Sequence, residues 1–416
     1  MNEPAPLSYG QLSVWRDVRE LSRGRWHEAN TQTFWQLPED EEYGATEVEN
    51  AVLTLVGRHE SLRTAYDLTD PFAPAQRVLP FLERVDRGVV ECGPEEFDDV
   101  VARLAAEPFD LRAAPSWRFR VLTHGGRPQV VVLVQHHITA DGWSNGILES
   151  DFRTALRASA PAAAAPVPTP RGLAAWQRSE GRHARRAALT AYWERIFGLS
   201  AASLAGAGPQ APPGTACQYS VRSRQAYSGC RRLAERLSVP VSSVVLAAFA
   251  LSVEHAVGPG ALVAQLMSSN RFVPPWNTVV SSMNQWTAAS VSPAPDDFAA
   301  YVGHVNTQSL LAYRYGMYDV DEMDLLRDKV RAGREPYEAS LGFNFLTGSA
   351  PPPGAPAESD TLRESPFSRI GHPCYLRATD EGGESLHLRL RTMGLADSLT
   401  RDLLEETVAR LTDAAA

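Results

Sequence analysis

Positive charge is in short supply in this sequence. Its 40 Lys and Arg residues are outnumbered by 49 Asp and Glu, a formal charge of −9. A nucleic-acid binder needs a basic face, and that class is set aside. Cysteine is scarce as well: Cys92, Cys217, Cys230 and Cys374 lie far apart with no CxxC pair. A disulfide framework or thiolate metal site is therefore not expected, and the four thiols read as buried or inert. No uncharged stretch is long enough to cross a bilayer. The opening "MNEPAPLSYGQLSVW" has no basic segment leading into an apolar one, so no secretory signal is visible. A cytoplasmic protein is the expectation. Two further absences matter: no repeat of fixed period, and no GxSxG elbow of the kind that presents a hydrolase serine.

What is present is the composition of a globular protein, 44% apolar and 21% charged, and 416 residues suit two lobes better than one core. Three Pro/Ala/Gly-rich stretches, 159–172, 205–215 and 348–360, read as surface connectors. The first closes a half of plausible lobe size, so lobes over 1–172 and 173–416 are predicted. Between these connectors strand and helix patterns alternate. Thr46-Glu47-Val48-Glu49 reads as a capping box before an apolar face at Val48, Val52, Leu55 and Val56. Residues 118–135 read as a hairpin around Gly125-Gly126 whose second strand is buried on both faces. "SVPVSSVVLAAFALSVEHAV" is an almost wholly apolar helix and "ALVAQLMSSN" a strand. "ESLHLRLRTM" alternates as a half-exposed strand, followed by a helix carrying Leu403, Leu404, Val408 and Leu411. The fold class is α/β in two lobes.

The stretch "VVLVQHHITADGWSNG" (131–146) carries the chemistry. Two adjacent histidines end a buried strand, and Asp141-Gly142 opens a helix with Leu148, Phe152, Ala155 and Leu156 at helical spacing. Adjacent strand residues face opposite ways, so one ring should turn into the lobe and the other toward open space. A neutral imidazole near a helix start is disfavoured from gaining charge and suits proton exchange near pH 7. Asp141 is placed to orient the turn by pairing with an arginine, and Gly142 permits close backbone approach. A packed core histidine is the plainer alternative. Metal binding lacks a third ligand in convergent spacing. A base without a protein nucleophile implies two substrates, one of which brings the nucleophile.

His136-His137-Ile138-Thr139-Ala140-Asp141-Gly142 matches the HHxxxDG motif and resembles the condensation domains of nonribosomal peptide synthetases, within the chloramphenicol-acetyltransferase-like acyltransferases. "PLSYGQLSVW" (6–15), "RHESLRTAY" (58–66), "AYWERIF" (191–197), "SSNRFVPPWNTVV" (268–280) and "LGFNFLTG" (341–348) resemble further family segments in order, so the resemblance covers essentially the whole chain. It implies two acetyltransferase-like lobes forming a V-shaped pseudo-dimer with an active-site tunnel between them, and floor-loop and latch-like crossovers from the second lobe. It implies transfer of an acyl or aminoacyl group from a phosphopantetheine thioester on a carrier protein to an amine or hydroxyl acceptor. Phosphopantetheine would come with the carrier, with no cofactor bound by this chain. By the same resemblance His137 is the general base or positioning residue and His136 is structural. Asp141 forms an orienting ion pair, with Arg271 the first candidate partner and Arg63 the second, and the Gly142 amide faces a developing oxyanion. Trp143, Ser144, Gln285, Trp286 and Asn344 are candidates for lining the tunnel, whereas Trp15, Trp35, Trp176 and Trp193 are expected in the core.

The departures carry weight too. The family's floor region reads close to Val-Gly-x-Phe-x-Asn-Thr, but here it is Val280-Ser281-Ser282-Met283-Asn284-Gln285-Trp286, which argues against ordinary aminoacyl and peptidyl substrates. Intact histidines argue against the heterocyclising and recruiting branches; the epimerising branch keeps them. "GLADSLT" (394–400) imitates a carrier's phosphopantetheine serine, but strand-like "LHLRLR" precedes it, and Ser398 is read as the cap of the last helix. A free-standing enzyme, or an excised domain, that docks carriers in trans is therefore expected, as a monomer. Arg185-Arg186 and Arg231-Arg232 are basic pairs open to an acidic carrier, though solvated helix faces are the commoner reading. Alternatives are a coenzyme A-dependent acyltransferase of this fold and a non-catalytic docking platform.

Overall fold

The computed structural model describes residues 3–38, 40–82, 84–158, 166–180, 183–204, 211–212, 215–258, 260–292, 297–335, 337–348, 358–366 and 372–414. Most of the three Pro/Ala/Gly-rich connectors therefore lies outside the described residues. Two compact units emerge: unit 1 comprises Met1–Ala184 with Ser269–Asn284, and unit 2 comprises Arg185–Ser268 with Gln285–Ala416. This corrects the expected lobes in two ways. The division falls after Ala184 rather than after 172, and a segment of the predicted second lobe folds with the first. Proline-rich composition marked a connector but not where the contacts stop.

Unit 1 is built, among the described residues, on a four-stranded sheet in the order β2 (Asn30–Gln36), β7 (Arg127–His136), β6 (Trp117–His124), β5 (Val89–Glu91). A small sheet of β1 (Ala5–Pro6), β4 (Ala75–Val78) and β3 (Thr64–Asp67) accompanies it. β6 and β7 form the hairpin predicted around Gly125-Gly126, both at positive φ as a tight turn requires. Because β7 is flanked on both sides, its run from Val130 to Gln135 is buried throughout. Helices α2 (Ala45–Arg58) and α4 (Gly142–Arg157) pack on each other over the sheet, and Trp35 stacks on Phe152 with ring centroids 4.9 Å apart. The cap of α2 is Gly44, whose N–H donates to the Glu47 carboxylate at 2.7 Å. Thr46 lies inside the helix instead of capping it.

Unit 2 is built, among the described residues, on a seven-stranded sheet. Its order is β10 (Gln285–Ser290), β9 (Val263–Ser268), β11 (Leu341–Gly348), β13 (Cys374–Glu381), β14 (Ser385–Met393), β8 (Ala216–Ser223), β12 (Leu362–Glu364). Helices α7 (Arg224–Leu237), α8 (Val241–Val257) and α11 (Asp397–Asp413) cover one face. The apolar α8 is buried nearly all round, as its sequence predicts. Strand β14 departs from the expected half-exposed pattern: Leu386, Leu388 and Leu390 enter the core, but the alternate Arg391 is also fully buried. Ser398 is not the cap of α11; Ala396 holds that position and Ser398 lies in the first turn. Trp15, Trp35 and Trp193 are core residues, while Trp176 is only half-buried against Trp276.

Candidate active site

The histidine pair is held by the strands on either side of β7. The His136 N–H donates to Ser116 O at 2.9 Å and the His137 N–H to Ala29 O at 2.8 Å, so the chain is pinned through both residues before it turns. The turn closes with Thr139 N–H on His136 O and a buried Ser116–Thr139 hydroxyl pair at 2.7 Å. The strand ends at His136, and the two rings have different neighbours. His136 is 1% exposed, and its Nδ1 accepts the Ile138 N–H at 3.2 Å. Burial, reinforced by repulsion from His137, pushes its pKa down to about 3, so His136 is a neutral structural ring. His137 is half-buried and turns the other way.

Opposite His137 is a residue the sequence reading did not single out. Asn284 Nδ2 stands 3.4 Å from His137 Nε2, and Asn284 Oδ1 accepts from the Ser282 hydroxyl at 3.1 Å. With its oxygen engaged, the carboxamide presents its NH₂ to the ring. Donation from Asn284 to Nε2 requires the tautomer protonated at Nδ1, an atom that is buried and has no hydrogen-bond partner among the described residues. The signal was present in the floor stretch 280–286, which was read for its departures rather than for its chemistry.

Asp141 caps α4, its Oδ1 accepting the Ser144 N–H at 2.9 Å. The same Oδ1 takes Arg271 at 2.8 Å, and Oδ2 takes the Met283 N–H at 2.9 Å. Arg271 donates onward to Val279 O at 2.7 Å, Ser281 O at 3.0 Å and Ser144 Oγ at 2.7 Å. Both charged side chains are almost completely buried. The pair thus ties the segment bearing Asn284 to the start of α4, and so sets where Asn284 meets His137. Arg63, the second candidate partner, instead donates to Leu79 O at 2.7 Å.

The remaining candidates divide. Gly142 is the exposed first residue of α4, where an N–H has no acceptor within the helix. Trp143 is exposed, donates to Asn277 O at 3.0 Å, and lines a groove of about 410 Å³ with Gly142, Gly146 and Ile147. Ser144 and Gln285, expected to line a cavity, are buried. Ser144 belongs to the Arg271 network, and Gln285 donates to Tyr318 O at 2.9 Å. Trp286 sits edge-on to Tyr375 at 5.4 Å, and Asn344 lies half-buried on β11; both belong to unit 2. Three of the four arginines in the basic pairs are engaged within unit 2: Arg186 with Glu322, Arg231 with Glu235, and Arg185 on Arg314 O. Among the described residues no group of three His, Cys, Asp or Glu is placed to hold a metal, and no single helix is long and apolar enough to cross a membrane.

This fold and constellation define a class. The family model of the condensation domain matches residues 30–349, and the chain belongs to the condensation-domain family. Its relatives are far longer synthetases. It is 35% identical over 152 residues to cyclosporin synthetase simA of Tolypocladium inflatum, covering 36% of this chain and 1% of the synthetase. It is 32% identical over 160 residues to malpibaldin synthetase of Mortierella alpina, covering 36% of this chain and 3% of that protein. The chain thus spans only a few per cent of the length of these relatives. Among solved structures it is similar to the condensation domain of the monacolin K polyketide synthase MokA. There the TM-score is 0.81 at 16% identity, over 99% of this chain and 97% of that one. The epimerization domain TycB3(E) of tyrocidine synthetase B shares the fold with TM-score 0.76 at 14% identity, over 100% and 96% of the chains.

Proposed function

We propose that the chain transfers an acyl or aminoacyl group from a phosphopantetheine thioester, carried in trans by a carrier protein, to an amine or hydroxyl acceptor. The observation that carries this reading is the half-buried His137 imidazole, whose Nε2 lies 3.4 Å from Asn284 Nδ2. The acceptor's nitrogen or oxygen attacks the thioester carbonyl while its proton passes to Nε2. The C–S bond then breaks and the departing sulfur recovers that proton. Gly142, the exposed first residue of α4, would offer its N–H to the oxygen that gains negative charge between these steps. A thioester is already activated, so holding the two substrates together supplies about 7–11 kcal/mol and one base about 10²–10⁴-fold in rate.

Purified protein is offered an acyl-carrier and the matching acyl-coenzyme A side by side with a panel of amines and alcohols, and the donors are followed by intact mass. The expected result is loss of acyl mass from the carrier, slowed about 10²–10⁴-fold by His137→Ala. Transfer only from coenzyme A overturns carrier dependence. Undiminished transfer by His137→Ala removes the base.

A further inference from the structure

Nε2 of His137 meets Asn284, but its Nδ1 is buried and has no hydrogen-bond partner among the described residues. Gln135 Oε1 is in the same position, on a side chain that is 0% exposed. Native proteins leave few buried polar atoms unpaired, and ordered water satisfies those that the chain itself does not. Two such atoms, two residues apart and next to the proposed base, call for a common partner.

The contacts of both side chains lead to the start of α4. Gln135 Nε2 donates to Asn145 Oδ1, and the Asn145 N–H closes the first helical bond of α4 on Asp141 O at 3.1 Å. His137 meets Asn284, whose neighbour Met283 donates its N–H to the Asp141 carboxylate at 2.9 Å. The backbone agrees. Pairing with β2 carries one bond past the last residue of β7, from the His137 N–H to Ala29 O at 2.8 Å. Side chains two residues apart on such a paired segment share a face, about 6.6 Å apart along it. The two atoms are complementary as well. With its NH₂ on Asn145, the Gln135 carboxamide has only an acceptor to offer. Donation from Asn284 to Nε2 keeps the His137 proton on Nδ1, which then has only a donor to offer. One water molecule spans about 5.6 Å between the two atoms that it joins, a distance suited to this spacing.

We propose that Gln135 is a positioning residue for His137, its Oε1 taking the Nδ1–H through one buried water molecule. The imidazole is then held at both nitrogens, by Gln135 through water at Nδ1 and by Asn284 at Nε2. A ring held in this way keeps its lone pair at Nε2 and loses little freedom when an acceptor arrives. Asn145 acts one step further out, because its oxygen decides which end of the Gln135 carboxamide is turned toward the ring. The effect on transfer rests on the acyl-transfer reading above; the hydrogen-bonded bridge itself does not.

The test is nitrogen NMR of the whole chain labelled with ¹⁵N-histidine, run beside transfer kinetics and a crystal structure. Signals lost in His137→Ala identify the ring. With the ring neutral, Nδ1 should carry the proton and Nε2 should be bare, and the crystal should show one water within hydrogen-bonding distance of Nδ1 and Gln135 Oε1. Gln135→Leu, similar in size but without an acceptor, should mix the two tautomers and lower kcat by roughly 2- to 10-fold with KM little changed. Gln135→Glu restores an acceptor and should return the Nδ1–H tautomer and most of the rate. Should Gln135→Leu fail to fold, Asn145→Ala serves instead: it releases the carboxamide to turn over and should move the proton toward Nε2. The inference is overturned if the parent carries its proton on Nε2, or if Nδ1 bonds to another group, its own carbonyl included. A folded Gln135→Leu or Asn145→Ala chain with the parent's tautomer and rate overturns it too. A parent that shows the Gln135-dependent tautomer but transfers nothing would overturn the acyl-transfer reading alone. Transfer by a parent whose tautomer ignores Gln135 would overturn the bridge alone.

Discussion

Asn284 Nδ2 faces His137 Nε2 at 3.4 Å, and the Ser282 hydroxyl fixes the carboxamide in that orientation. The contact is long for a hydrogen bond and therefore modest, a neutral bond of this kind being worth about 0.5–1.5 kcal/mol. Asn284→Leu, which keeps bulk without a donor, should lower the rate of transfer by roughly 2- to 10-fold with little change in Tm. Asn284→Asp sets a carboxylate beside the ring, and a neighbouring negative charge favours the protonated imidazole. On the acyl-transfer reading proposed above the neutral ring is the form that acts, so Asn284→Asp should lose transfer activity most at acidic pH. A profile identical to the parent's would mean that residue 284 does not act on the ring.

Asp141 and Arg271 make a pair in which neither partner can be lost cheaply. Removing one strands the other as a buried charge, a cost of about 3–5 kcal/mol. Asp141→Ala and Arg271→Ala should each lower Tm by roughly 6–20 °C at the usual few degrees per kcal/mol. The double variant should cost much less than the two singles added together. Thermal and denaturant melts of the four proteins decide the matter, and additive losses would mean that the two side chains act separately.

Stability should fall on acidification in a window set by two histidines, the buried His136 and the half-buried His387. The His136 pKa is pushed down to about 3 and that of His387 to about 4, in both cases chiefly by burial. Below pH 6.5 the unfolded chain binds protons that these folded rings refuse, so folding weakens as pH drops toward those values. Each ring contributes a slope of up to about 1.4 kcal/mol per pH unit. His136→Asn and His387→Asn should flatten the dependence of Tm on pH between 4 and 6.5, and unchanged slopes would contradict the stated burial.

Gly10 of α1 (Tyr9–Arg19) lies so close to the floor segment that a Cβ there would meet Ser282 O at 2.4 Å and Met283 Cα at 2.6 Å. Both are backbone atoms, held in turn by the Asp141–Met283 hydrogen bond at 2.9 Å. Gly10→Ala should therefore cost about 1–3 kcal/mol of stability, the usual penalty for overpacking. It should also shift Asn284 away from the ring, so that its transfer rate falls as that of Asn284→Leu does. A variant as stable and as active as the parent would show that the approach is looser than this geometry.

Much of this architecture was legible from local pattern. The hairpin of β6 and β7, the divergent histidines, α4 after Asp141-Gly142 and the apolar α8 all follow from side-chain period and turn chemistry, which are local properties. Arg271 was a natural partner for Asp141 because it stands in a segment matching the family. What stayed hidden depends on contacts remote in sequence. Ser144 and Gln285 face inward to polar partners rather than toward a cavity, a choice that periodicity does not make. Nor does composition reveal that 269–284 leaves one unit to fold with the other, or that Arg377 and Arg389 fall side by side, since strand register is a tertiary fact.

The excursion of residues 269–284 has a genetic consequence. A cut after 172 or 184 severs Asp141 from Arg271 and His137 from Asn284, so a fragment ending there retains HHxxxDG without the groups that fix its geometry. Exchange of segments between related genes will conserve this centre only where the crossover keeps residues 137–144 and 271–284 from a single parent.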